Sequence, residues 1–414
     1  MATQGFKRTK LACYSAYFTM STVFCLPPLL FVTFHEMYGI SWTLLGTLVL
    51  VNFCTQMLVD LFFSFNSQIF NVKKLTSVMP LITSVGMLVY ALVPTFFPQY
   101  AFPGLVVGTV IFSVSSGLSE VFLSPVIAAI PSDNPQREMS LLHSLYAIGV
   151  FTIIVFSTVS LRIIGNVNWM YLTLFFALLP IVTSVLFMSS PFPDMNKESV
   201  FSANKNEKGK RIGLVLCFGC IFFGACAENV MTNWISGFME SALGINKTVG
   251  DILGMAMFAV MLGSARIVYA KFGKNIFNAL LLGMAGSSVC YLVAGFSSNV
   301  LVAFIACIMT GFCVGMLWPG SLIMMEGNIP GVSVAAYALM AAGGDLGSSV
   351  APQLMGAVVD AVSVSDFAAR MSVAMNISPE QIGMKAGMLV TAVFPLIGTL
   401  LVLFVIKYFK KARS

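Results

Sequence analysis

Apolar residues run through this chain in twelve long stretches separated by short polar turns. They lie near 11–34, 42–65, 75–97, 102–130, 139–162, 169–190, 212–238, 248–270, 276–296, 299–325, 333–361 and 384–407. Each is long enough to cross a hydrocarbon core, which takes about 20 residues of helix. None alternates apolar and polar residues with a period of two, so the pattern is not that of a barrel. Backbone groups in lipid need partners within their own segment, and each stretch is therefore expected to be an α-helix. The pattern predicts an all-α membrane protein with twelve transmembrane helices.

The polar punctuation is uneven. Ser190 to Lys210 is the one long polar interior segment, rich in Pro, Ser, Asn and Lys, and reads as a flexible linker. It divides the chain into an N-terminal six-helix bundle (1–190), a cytoplasmic linker (191–211) and a C-terminal six-helix bundle (212–414). The halves echo each other. Gly39-Ile40-Ser41-Trp42-Thr43 follows the first stretch and Gly244-Ile245-Asn246-Lys247-Thr248 the seventh. At that same spacing of 205, Arg266 falls next to the counterpart of Asp60, and at a spacing of 198 Gly117 and Gly149 recur as Gly315 and Gly347. Two pseudo-symmetric six-helix repeats, related by an axis along the membrane normal, are expected.

Composition supports the membrane reading. Only 9% of the 414 residues are charged and 58% are hydrophobic, against about 25% charged in soluble proteins. The mean hydropathy is +0.92. The net charge of +6 resides in loops and tails, so it concerns orientation and not nucleic acid. Eighteen of the 22 Lys and Arg fall in loops on one side of the predicted spans, which predicts cytoplasmic termini. The basic opening Met1–Lys10 resembles a signal peptide, but the run Leu11–Phe34 is too long and lacks a cleavage site, so it is expected to be a retained first span. The nine cysteines sit in apolar runs and read as packing residues, including Cys217-x-x-Cys220. No Walker loop, H-E-x-x-H, G-x-S-x-G or Cys/His cluster is present. Neither catalysis, a metal nor a cofactor is predicted.

Candidate chemistry therefore lies in polar side chains within the apolar stretches. Glu120 is flanked by Ser116 and Ser124 at i−4 and i+4, and reads as a proton site or as a neutral acid bonded to a neighbouring helix. Asp60 continues a stripe of Asn52, Gln56 and Ser64 on one helical face. It is expected either to join proton coupling or to pair with Lys73, Lys74 or Arg266 as a gate. Asn229, Asn233 and Trp234 in the seventh stretch are groups that recognise hydroxylated solutes, through amide hydrogen bonds and indole stacking. Trp318 stands beside Pro319-Gly320, a pair expected to break the helix and free carbonyls near the site; with Tyr337, two turns before Asp345, it completes the expected substrate-binding set with Asn52 and Gln56. No Lys or Arg sits at the centre of a stretch, which favours a neutral or cationic solute over a strong anion.

The whole chain resembles a major facilitator superfamily transporter. Lys73-Lys74 retain only the terminal basic pair of that superfamily's loop between spans two and three, and Arg266-Ile267-Val268-Tyr269-Ala270-Lys271-Phe272-Gly273-Lys274 retain more of its later copy. Gly117-Leu118-Ser119-Glu120 with Ser124-Pro125, followed by Leu141 to Gly149, is similar to the fucose/glucose-type sugar permease branch. That resemblance implies proton-coupled sugar uptake with Glu120 as the coupling acid, although the acidic residue of span one is absent here. The expected function is secondary active transport in the plasma membrane by a monomer, importing a small neutral solute with protons. The alternative is a proton-driven exporter of lipophilic or cationic compounds. A third reading, a transport-inactive membrane receptor, lacks any appended soluble domain to support it.

Overall fold

A computed structural model describes residues 6–66, 70–132, 135–193, 208–329 and 334–413. Every regular element among them is helical. The first half holds α1 (Lys7–Leu29), α2 (Phe31–Tyr38), α3 (Trp42–Asn66), α4 (Val72–Phe96), α5 (Ala101–Ala129), α6 (Pro135–Ile164) and α7 (Trp169–Met188). The second holds α8 (Lys208–Gly237), α9 (Lys247–Val249), α10 (Met257–Phe272), α11 (Ile276–Phe296), α12 (Val300–Val314), α13 (Leu317–Asn328), α14 (Val334–Ser363), α15 (Asp366–Met375), α16 (Pro379–Thr391) and α17 (Val393–Arg413). Two π-helical segments, Phe238–Ala242 and Gly250–Ala256, flank α9. Most of the expected linker lies outside the described residues.

Among the described residues nine helical spans are long and apolar enough to cross a bilayer, and the pair α1–α2 makes a tenth. The fifth and eleventh expected stretches correspond to α6 and α14, each 30 residues long. Neither counts among the ten: α6 contributes the shorter apolar helix Ile148–Ile164, and α14 is diluted by glycine, serine and Asp345.

Local sequence explains where spans break. The first stretch is expected as one helix, yet it bends by 47° between α1 and α2. Pro27 and Pro28 lack N–H groups, so the carbonyls of Val23 and Phe24 lose their donors and the helix yields just beyond them. Helix starts are capped in the usual way: Asn71 accepts from the Lys74 N–H, Asn299 from Leu301 and Val302, and Ser378 with Gln381 forms a reciprocal capping box. The echo noted at Gly39 and Gly244 has a conformational cause. Both residues are left-handed, with φ of 64° and 65°, and end the segments before α3 and α9.

By internal packing the chain divides into two compact units, one of Met1–Gly39 with Val51–Ser199, the other of Ile40–Leu50 with Val200–Ser414. In the first unit α4 and α5 approach closely because Gly86 and Gly108 carry no Cβ. A methyl at Gly86 would stand 2.6 Å from the Phe112 nitrogen, and one at Gly108 2.7 Å from the Tyr90 backbone. Apolar packing at one end of this unit centres on Tyr17, Met79, Phe122, Ile127 and Phe187.

The two units repeat their contacts. Gly149 of α6 lies against Phe18 and Ser21 of α1, and Gly347 of α14 lies against Phe222 and Ala225 of α8. Likewise Gly117 of α5 faces Val59 and Asp60 of α3, while Gly315 faces Leu262 and Ala265 of α10. Matching glycines thus admit matching neighbours in each half.

Candidate functional site

In the first unit the polar stripe of α3 packs against α5. Asn52 Oδ1 accepts from Ser113 Oγ at 2.6 Å and from Gln56 Nε2 at 3.0 Å. One turn on, Asp60 lies against Gly117, where a Cβ would stand 2.9 Å from Asp60 Oδ1. Asp60 is 9% exposed, and its carboxyl lies within interaction range of that of Glu120. Two carboxyls this near one another interact, and a proton on either lowers their mutual repulsion. The sequence placed both acids inside the membrane; the structure brings them together. The side chain of Ser64 lies outside the described residues.

The direction of Glu120 decides what this pair can do. Glu120 is exposed while Leu118 and Ser119 beside it are buried. The outward apolar stripe of α5 runs through Val107 and Val110, which are 50% and 38% exposed. At about 100° per residue, Glu120 sits roughly a third of a turn away from that stripe, on the face of Thr109, Ser113 and Ser116. Its position on the helix is therefore that of the polar face and not of the apolar stripe. Tyr17 of α1 stands within electrostatic range of Glu120 and shares a 3.2 Å hydrogen bond with Ser124 Oγ. Sequence reasoning missed Tyr17, since a tyrosine in an apolar run carries no signal of its own.

The second unit is built differently at the equivalent contact. The expected helix break at Pro319-Gly320 falls earlier, at Gly315–Met316 between α12 and α13. Pro319 has no N–H for the carbonyl four residues back, which is that of Gly315. Arg266 Nε of α10 donates to that carbonyl instead, at 3.0 Å. The Arg266 charge also acts on Glu228 of α8, whose Oε2 is buried without a hydrogen-bond partner. Arg266, expected as part of a cytoplasmic gate, is thus bound to the break in span ten. Lys73 and Lys74 are exposed in the first turn of α4.

The remaining expected site residues divide by accessibility. Asn229 is half-buried and donates to Ser348 Oγ at 2.8 Å; Asn233, 6% exposed, donates to the Asn229 carbonyl at 2.8 Å. Trp234 is fully buried, its indole N–H donating to the Pro352 carbonyl at 3.1 Å. Stacking on a solute does not fit that burial; the ring packs 5.7 Å from Trp42 instead. Gln56 is likewise buried and serves the α3–α5 network. Trp318 is half-buried in the first turn of α13, with its ring against Gly344, where a Cβ would stand 2.1 Å from the indole. Tyr337 bonds Glu326 near the start of α14, away from Trp318 in sequence and partner.

Several polar contacts had no sequence signal. Asp251, 1% exposed, accepts from Ser236 Oγ and lies 3.7 Å from Lys247, which also pairs with Glu240 at 3.6 Å. Asp360 accepts from the Trp42 and Thr43 N–H groups at 3.1 and 2.6 Å, and Glu380 accepts from the Trp42 indole at 3.2 Å. These acids stand at the edges of apolar stretches, where a loop position is the ordinary reading.

A multi-span helical membrane protein with a polar, acid-bearing interior face is the architecture of a secondary transporter. The chain belongs to the Major Facilitator Superfamily, whose model matches residues 12–352. It is a multi-pass membrane transporter and not an enzyme. Among solved structures it is similar to a bacterial homolog of the human lysosomal transporter Spinster, in an inward-facing and occupied conformation. The TM-score is 0.74 at 14% identity, covering 97% of each chain. It is also similar to the nucleoside transporter NupG, with TM-score 0.70 and 12% identity over 96% of this chain and 99% of that one. A third likeness is to the POT family transporter PepTSo, with TM-score 0.69 and 11% identity over 98% of each chain. A comparison with curated proteins returns no match.

Proposed function

We propose that this protein imports a small neutral solute, a sugar or related polyol, together with protons across the plasma membrane, with both termini cytoplasmic. The observation that carries the reading is the nearness of two membrane-embedded acids, Asp60 of α3 and Glu120 on the polar face of α5. Acids inside a span are costly, and carrying a proton is the role that accounts for keeping a pair of them. Asn229 and Trp318 would meet the cargo, the first offering an amide and the second an indole face. Asn52, Gln56 and Asn233 would hold the lining in place. Alternating access follows from rocking the two six-helix halves.

The cargo is found first by thermal shift of the purified protein against sugars, polyols, nucleosides and cationic drugs. A solute at a hundredfold its dissociation constant adds about 2.7 kcal/mol. Proteoliposomes then carry the test. Glu120→Gln is expected to abolish accumulation driven by a proton gradient while sparing exchange of solute. Accumulation against the gradient by the Gln variant overturns the coupling assignment. A screen answered only by lipophilic cations overturns the neutral-solute assignment.

A further inference from the structure

Span ten contains a break whose donor comes from another helix. Pro319 stands third in α13, where its missing N–H costs α13 nothing, because the first turn of a helix has no intrahelical partners for its N–H groups. The loss is felt by Gly315, the last link to α12. A carbonyl freed inside a membrane span needs a donor. Arg266 Nε supplies it at 3.0 Å. Gly315 is itself a point of close approach to α10, since a Cβ there would stand 2.6 Å from the Leu262 carbonyl and 2.9 Å from the Ala265 Cβ. The residue that opens the helix and the residue that repairs it are therefore held together by the same close approach. Trp318 lies directly after the break, with its ring on Gly344.

We propose that Arg266 is a positioning residue for transport: its guanidinium takes the place of the backbone hydrogen bond that Pro319 removes, fixes the break at Gly315–Met316, and so sets the orientation of Trp318. The functional part rests on the reading of Trp318 as a cargo-facing residue; the structural part does not. Glu228 steadies the guanidinium from the α8 side. Arg266 touches no cargo. Its effect passes through span ten.

The decisive experiment is a cycle between Arg266 and Pro319, read by hydrogen–deuterium exchange of the full-length protein in nanodiscs. Arg266→Ala is expected to raise exchange in peptides covering 312–322 about tenfold, with α4–α5 peptides of the first unit unchanged. Glu228→Gln is expected to raise it about threefold. Pro319→Ala restores the donor to Gly315, so Arg266→Ala added to Pro319→Ala should change exchange by less than about twofold. A general structural role for Arg266 would show the same increase with or without Pro319. That result overturns the proposal, as does an unchanged 312–322 segment in Arg266→Ala. Should Arg266→Ala alone fail to fold, Pro319→Ala and Pro319→Ala/Arg266→Ala decide. Matching exchange and melting midpoints support the proposal, and a difference above about threefold overturns it. None of these readouts needs cargo, so a failure here is distinct from a failure of the symport reading.

Discussion

The contact of α3 with α5 and the contact of α10 with the α12–α13 break occupy equivalent places in the two halves. Both turn on a glycine, Gly117 or Gly315, that lets two helices meet. The side chain at the meeting point differs. In the first unit it is Asp60, beside a second acid on an unbroken helix. In the second it is Arg266, bonded to a freed carbonyl of a broken one. A carboxyl can both donate and accept a hydrogen bond, according to its proton; a guanidinium is a fixed set of donors. One repeated scaffold thus carries a pair of acids in one half and a guanidinium on a freed carbonyl in the other.

The sharpest way to break this contrast is to put the cation of the second unit into the first. Asp60→Arg turns the acid pair into an ion pair with Glu120 and leaves no proton to exchange. Gradient-driven accumulation in proteoliposomes should fall at least about a hundredfold, with the melting midpoint of the purified protein held within about 3 °C. Retained accumulation would mean that the pair is structural.

Next in size are the glycines. Gly315→Val drives a side chain towards the backbone carbonyl of Leu262, which cannot move without moving α10. A loss of about 3 kcal/mol is expected. At Gly117 the obstacles are the Asp60 and Val59 side chains, which can rotate, and about 1–2 kcal/mol is expected from Gly117→Val. Denaturation of both variants in the same detergent checks the order; a reversed order would show that the Gly117 contact is the tighter. The smallest effect belongs to Ser113→Ala, which removes one of two donors to Asn52 and should cost about 1 kcal/mol.

Much of this was legible in the chain, for physical reasons. Apolar stretches of spanning length left little choice but helices. The four-residue spacing of Asn52, Gln56 and Asp60 marked a face, and a carboxyl at Glu120 marked a polar neighbourhood. What the chain did not disclose were the pairings. That Asp60 meets Glu120 depends on which helices pack, and no local pattern encodes it. The break in span ten was expected at Pro319-Gly320 because proline was read as breaking the helix where it stands. Its effect falls one turn earlier, on the carbonyl it fails to reach. Trp234 reads from the sequence as an indole that stacks on a solute, yet it is fully buried and Pro352 of α14 takes its N–H.

The carboxylate of Asp360 on the first turn of α3 has a practical consequence for anyone who divides the chain. Residues Ile40–Leu50 pack with the second unit although they precede most of the first. A cut in the polar segment around residue 200 would separate two fragments of natural length, but the amino-terminal fragment would keep Trp42 and Thr43 and lose the acids that hold them. Split versions should accordingly insert and persist only when both pieces are made together in one cell.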